Sequence, residues 1–465
     1  MKKLFVIIIF TFSNIYIFAN DTLTFQYVDS ATYSMYQKQE WKSIITLGNN
    51  AIYNNIDYFY LRMRIGIAYY ELKEYTPAIS HFEKALEFNS ADEVAMEYKY
   101  YSLLNSAKTR EAGYYAKTFP QSLIDKIKPE IPKKIDKIIF EGGFNIVPGF
   151  DTLKTIINPP DQKNYRLEKD VTGKFIFAGI GVNHELNKKL SIFHSFNFLQ
   201  SQGFQQLYYN YNIANQNNYI LNQLQYYFAP TYYGKKNNAT TLFANVLYLS
   251  SNKYKYTYTK IQPIPMPPPL DQPIPNYSYK IDTIKFTSLQ YVLGFNYLKN
   301  YKNNLIDITA TYSNLNSLTQ IELTTCFGFY ANKQKTIFSK TNVTLFSQRP
   351  DINLIFSQLV KIKLHHQLWL DIYGNYGKQR NFNENSGYIV QNTNDETLYR
   401  IGAKLTFPIF RKLNFYLSYS YSAKVVPLQY IYFTGIRQNK ETFQTIIKNY
   451  NYNQHLIYGG LIWKF

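Results

Sequence analysis

The sequence predicts a two-part chain of the α+β multidomain class. A short α-solenoid of helical hairpins comes first, followed by an antiparallel transmembrane β-barrel of about 14 strands, within a range of roughly 12–16. Three observations carry this. The N-terminal region repeats itself at an offset of 34 residues. Beyond a proline-rich stretch the apolar period changes from that of a helix to that of a strand. The chain closes on Gly459-Gly460-Leu461-Ile462-Trp463-Lys464-Phe465, an alternating segment with an aromatic end.

Composition narrows the class before any element is placed. Charged residues are 17% and aromatic residues 18% of the 465, with 47 Tyr and 34 Phe, the reverse of a disordered chain. One cysteine, Cys326, leaves no intrachain disulfide framework. Mean hydropathy is −0.32, and no apolar run of about 20 residues follows the N-terminus, which argues against a polytopic helical membrane protein. The apolar residues are numerous but never in blocks.

Residues 1–20 read as a secretory signal peptide: Lys2 and Lys3, an apolar stretch from Leu4 to Phe18, then small Ala19. Residues 21–119 form the helical part. Glu40-Trp41 recurs as Glu74-Tyr75 and Ala51 as Ala85. The second copy places Gly66, Tyr69, Ala78, Phe82 and Ala85 where close helix pairs need a glycine, small residues and rings between them. That pattern and its period resemble the tetratricopeptide repeat. A degenerate third copy ends at Pro120. The resemblance implies a groove lined by the first helix of each repeat, with rows Tyr36–Tyr70–Leu104, Tyr33–Ile67–Tyr101 and Asp29–Met63–Glu97. The groove residues Tyr33, Tyr36, Met63, Ile67, Tyr70, Glu97 and Tyr101 await a periplasmic protein or polymer, or another part of this chain.

Residues 120–136, with Pro120, Pro129 and Pro132 among lysines, are expected as a linker that excludes helix and central strand. Residues 137–465 then alternate. Leu413, Phe415, Leu417, Tyr419 and Tyr421 are separated by Asn414, Tyr416, Ser418 and Ser420, and Ile306, Ile308, Ala310 and Tyr312 by Asp307, Thr309 and Thr311. Strands of about 9–11 residues are expected. Candidate starts fall near 137, 172, 188, 217, 238, 279, 303, 318, 335, 352, 366, 396, 412 and 455. Tight turns at Asn187-Lys188-Lys189, Gly234 to Asn238, Tyr301 to Asn304, Asn332 to Lys335 and Arg411-Lys412 alternate with long segments near 147–171, 256–280, 379–395 and 423–450. The last of these, with Gln429-Tyr430-Ile431-Tyr432, also reads as an outer hairpin or two more membrane strands. Short turns on one side and long loops on the other suit an outer-membrane barrel. The proline run from Pro263 to Pro275 is expected as a stiff outer loop.

The terminal Leu461, Trp463 and Phe465 resemble the C-terminal signal by which bacterial barrels address the barrel-assembly machinery. Reading the whole layout, the chain resembles the YaiO-like outer-membrane proteins and is similar to the exopolysaccharide-export porins, which have much longer repeat arrays. The resemblance implies an outer-membrane protein with its repeats in the periplasm, supporting export or envelope assembly, or acting as a porin-like channel.

No enzyme is expected, and no cofactor or metal. The histidines His81, His184, His194, His365, His366 and His455 form no metal-ligand pattern. His194-Ser195 cannot be a dyad, because neighbours on a strand point to opposite faces. The net charge of +19 would suit nucleic acid, but a secreted barrel directs those lysines to outer-membrane lipid and lipopolysaccharide instead. Expected lumen positions carry both signs, Lys361, Lys363 and Lys404 against Asp307, Glu322 and Asp371.

Overall fold

The computed structural model describes residues 23–465 apart from 107, 156–164, 210–211, 235–236, 262–275, 302–303, 333, 349, 366–367, 394 and 438–439. The leader 1–20 and the proline run lie outside the described residues. Contacts divide the chain into Met1–Ile131 and Pro132–Phe465.

The first unit is built from helices α1 (Phe25–Gln37), α2 (Trp41–Tyr53), α3 (Phe59–Glu71), α4 (Tyr75–Phe88), α5 (Glu93–Asn105), α6 (Thr109–Tyr115) and α7 (Gln121–Ile127). Starts at 25, 59 and 93, and at 41, 75 and 109, keep the 34-residue step through three hairpins. Thr24 caps α1 by accepting from the Tyr27 N–H, and Asp92 caps α5 by accepting from the Ala95 N–H. Gly66 lies flat against Phe82: a Cβ there would stand 2.7 Å from Cε1 of that ring, so the α3–α4 crossing depends on its absence. Ala78, Phe82 and Ala85 are fully buried in the same seam.

The stretch 120–136 departs from expectation. Pro120 takes the N-cap position of α7, where a missing N–H costs nothing. Leu123 is fully buried, and Ile124, Ile127 and Ile131 pack with it against the third hairpin.

The second unit is a closed antiparallel barrel of fourteen strands. In chain order the strands are β1 (Ile135–Ile146), β2 (Tyr165–Asn187), β3 (Leu190–Tyr209), β4 (Asn212–Tyr233), β5 (Asn238–Ile261), β6 (Asn276–Tyr301), β7 (Asn304–Ser313), β8 (Gln320–Tyr330), β9 (Ile337–Gln348), β10 (Asp351–His365) and β11 (Leu368–Gln379). A short inner pair, β12 (Asn383–Glu384) and β13 (Ile389–Val390), interrupts the wall before β14 (Glu396–Phe410), β15 (Leu413–Arg437) and β16 (Lys440–Lys464). Closure runs through β1 and β16, and the Phe465 N–H donates to the Asp136 carbonyl at 3.0 Å. Every wall strand thus has two neighbours, the condition for extended backbone in lipid.

The period of 2 is realised as expected. On β7 and β8, Ile306, Ile308, Tyr312, Ile321, Leu323 and Phe327 face outward, while Ser313, Gln320, Glu322 and Cys326 are buried inside. Such an outward apolar belt around a closed barrel is the pattern of a wall that faces hydrocarbon.

Two sequence expectations need correction. Strands β2 to β6, β15 and β16 run 20–26 residues, well beyond the expected length. Of the readings of 423–450, the hairpin is the one that forms, as the continued β15–β16 ladder, so the last strand begins at Lys440 rather than near 455. For β2, β3, β15 and β16 the reason for the extra length is an additional pairing within the same sheet. Past Val425, β15 loses β14, and its freed edge pairs at Gln429–Tyr432 with Tyr165–Glu168 of β2, whose own edge lies beyond β1. The order there becomes β16-β15-β2-β3. Its apolar face, with Leu167, Phe204, Val426, Leu428, Tyr430 and Tyr432, packs with Phe150 and Leu153 of the short helix α8 (Phe150–Thr155). That core offsets the cost of ordering the extension.

Candidate functional site

The segment between β11 and β14, expected as a long outer loop, folds inward. Asn385, Ser386 and Gly387 have φ of 50°, 55° and 74°, a left-handed run that these residue types tolerate and that turns β12 back on β13. One side of this hairpin is held on an apolar wall. Tyr388 sits 5.8 Å from the Phe193 ring and 5.3 Å from the Tyr227 ring, and Val390 joins the same cluster with Phe243, Leu247 and Val292. Polar contacts fix the register: the Tyr227 hydroxyl donates to the Ser386 carbonyl at 3.0 Å, Asn245 Nδ2 donates to the Gly387 carbonyl at 2.8 Å, and the Tyr388 hydroxyl donates to Glu141.

The other side meets a polar wall. Asn383 donates through its backbone N–H and its Nδ2 to Glu322 Oε1, at 3.2 and 2.7 Å. Asn392 Nδ2 donates to Gln290 Oε1 at 2.8 Å, and Glu384 is ion-paired with Arg400. The Tyr452 hydroxyl donates to Asp395 Oδ2 at 2.5 Å. Glu322 is 3% exposed, and the two Asn383 donors meet the hydrogen-bonding need of a buried carboxyl group. The loop therefore touches β1, β3–β6, β8, β14 and β16 and spans the lumen.

A cavity of about 580 Å³ remains around it, lined by Thr309, Thr324, Asn342, Ser357, Asn375 and Tyr373 among others. Of the charged lumen positions expected from sequence, Asp307, Lys361, Asp371 and Lys404 are ion-paired across strands, while Glu322 bonds Asn383 of the loop and Lys363 lies over the Trp369 ring. Lys340 meets Asp307 at 3.4 Å, and both Lys361 and Lys404 meet Asp371, at 3.1 and 3.2 Å.

His194 and Ser195 point apart, as strand geometry requires. Ser195 is 1% exposed and accepts from Asn197 Nδ2. The His194 ring instead stacks 5.1 Å from His184, on the face it shares with exposed Phe196. Cys326 is a buried lumen residue, and no metal-ligating group of three occurs among the described residues.

In the helical unit the expected groove is divided. Met63 and Ile67 are 7% and 8% exposed, packed between helices with Ala78, Phe82 and Ala95. Tyr69 stacks on His81, and Tyr70 lies edge-on to Tyr98. Tyr36 packs against Trp41. Glu97 takes an ion pair from Lys126 of α7, and Tyr101 packs beside Ile127 and Ile131, so the chain's own helix covers that end. Tyr33 stays 51% exposed, with the Arg64 guanidinium 5.3 Å over its ring and 6.0 Å from that of Tyr60. Arg64 also donates to Asp29 Oδ1 at 2.7 Å and holds that carboxyl below its ordinary range. Tyr58, buried against Asp29, is pushed up to about 12. At the far end of the chain, Leu461, Trp463 and Phe465 are exposed on the barrel surface.

The inward loop is the feature that sequence reasoning missed. Its one signal is Phe382 and Tyr388-Ile389-Val390, apolar residues flanking a run of turn formers in what otherwise reads as a polar loop.

No protein-family model and no curated protein matches the chain. Among solved structures, a Pseudomonas aeruginosa FadL homologue superposes with a TM-score of 0.42 at 8% identity, over 76% of this chain and 94% of that one. The P. putida toluene transporter TodX gives 0.41 at 10%, over 76% and 94%. A bacterial polysaccharide outer membrane secretin gives 0.32 at 10%, over 71% and 99%. Likeness at that level is too slight to carry function.

Proposed function

We propose that the chain is an outer-membrane channel for small polar solutes, held shut by its own inward loop. The observation that carries the reading is the loop itself, spanning a lumen that still keeps a charged cavity of about 580 Å³. A barrel serving only as an anchor has a cheaper interior, because small barrels fill with side chains and apolar ones need no partner. Here Asp371 and Glu322 are buried, the first paired with two lysines and the second bonded to the loop, an interior costlier than apolar filling and in keeping with a polar passage. Replacing residues 382–393 with a short Gly-Ser turn tests this in planar bilayers. The shortened barrel should conduct steadily where the full chain is mostly closed. A folded, inserted, shortened barrel without current would overturn the reading.

The helical unit is read as a periplasmic tetratricopeptide-like module that docks an envelope partner, in support of export or assembly. The 34-residue step and the exposed Tyr33–Arg64–Tyr60 stack support it. Outward Leu461, Trp463 and Phe465 fit recognition by the barrel-assembly machinery, and the surplus lysines fit lipopolysaccharide.

A further inference from the structure

We propose that Lys361, Asp371 and Lys404 form an anion-binding site on the lumen wall, for small solutes that carry carboxylate or phosphate groups. The inference deepens the channel reading and rests on it for its role, though not for its chemistry.

The three residues lie in one row. Lys361 is the register partner of Asp371 on the neighbouring strand, and Asp371 is that of Lys404 on the next, so all three side chains share a face. Both ammonium groups approach the same carboxylate oxygen, Oδ2, at 3.1 and 3.2 Å. One carboxylate neutralises one lysine, and the second is surplus. The Asp371 side chain is 5% exposed, whereas Lys361 and Lys404 keep 38% and 31%, so the carboxylate is shielded while the ammonium groups face the cavity.

Two like charges gathered at one point inside a barrel repel each other, and a structural ion pair has no use for the extra one. The surroundings sharpen this. Lys340 is matched one to one with Asp307, and Lys363, two residues along the strand from Lys361, lies 6.0 Å over the Trp369 ring. Along this wall Lys340, Lys361, Lys363 and Lys404 thus face Asp307, Glu322 and Asp371, and Glu322 is engaged by Asn383 rather than by a lysine. Asn342, Ser357, Tyr373 and Asn375 line the same cavity and supply neutral donors to the oxygens of a bound anion. A carboxylate or phosphate seated between the two ammonium groups restores charge balance without displacing Asp371.

Calorimetry on the full-length protein in detergent, with citrate, inorganic phosphate and neutral glucose as separate titrants, tests the site. At least one anion should bind and glucose should not. Which anion binds separates carboxylate from phosphate chemistry. K361Q/K404Q should weaken that binding at least tenfold, while K361R/K404R should retain it. The single K404Q variant serves if the double one does not fold. Lack of binding by either anion, or equal binding by the Gln variants, overturns the site. In the loop-shortened barrel, the reversal potential under a KCl gradient should show anion preference, and cation preference also overturns the proposal. Anion binding with no current supports the site and discards the channel.

Discussion

Tyr388 is where the plugging loop is anchored most fully, and its truncation sets a quantitative test. The ring packs against Phe193 and Tyr227, and the hydroxyl donates to Glu141. Removing a buried aromatic side chain costs about 3–5 kcal/mol, and losing a hydrogen bond to a charged group about 1.5–3 kcal/mol. These losses overlap, so about 4 kcal/mol is the working figure for Tyr388→Ala. With the loop swung out, the side chain sits in water and its truncation costs little, so nearly all of the loss falls on the closed state. At about 1.4 kcal/mol per tenfold, the open-to-closed ratio should rise roughly a thousandfold. Tyr388→Phe keeps the ring and loses only the bond, giving roughly a tenfold to hundredfold rise. Open probability in single-channel recordings measures both, with heat-modifiable migration as the check on folding. If folded Tyr388→Ala opens no more often than the parent, the loop is not the gate.

Two further outcomes concern the helical unit. His81 is lowered to about 4, first by burial and then by Arg62, whose Nη1 lies 3.3 Å from Nδ1 and needs that nitrogen unprotonated. Its folded value lies below the unfolded one, so the unfolded chain binds more protons in between, and stability rises with pH. The unit should keep its full stability above about pH 6.5 and lose it progressively toward about pH 4, as read by urea melts of the helical signal, whereas His81→Gln should flatten that slope. For docking, pull-down from an envelope extract with the full-length protein should retain a partner that the Tyr33→Ala/Arg64→Ala variant loses. Equal retention by the two proteins would remove the stacked pair from the interface.

The elements were legible wherever one periodicity acts alone. Gly66 and Phe82 announce a close helix crossing because both must occupy one seam, and the Ile306–Tyr312 alternation announces a wall strand because lipid and lumen lie on opposite faces. Legibility failed where a segment has a partner far away in sequence. Gln429-Tyr430-Ile431-Tyr432 has strand character, but its pairing with β2 depends on where β1 and β14 end. Gln121–Ile127 looked like linker because prolines flank it, and only its packing on the third hairpin makes it a helix. In the groove, Met63 and Ile67 keep their 34-residue phase yet are core, since a third stacked helix covers the middle one.

By itself the sequence determined the two-part architecture, a barrel of about fourteen strands and which side chains face inward, because the helical and strand periods are local properties that any short window reveals. Closure at fourteen is read from the ladder. Only the tertiary structure decided that the lumen is plugged, that β15 and β2 pair beyond β14 and β1, and that two lysines share one aspartate. Those outcomes rest on contacts such as Tyr388 with Glu141 or Lys404 with Asp371, where the chain returns to a place it left many residues before and no local period records the meeting.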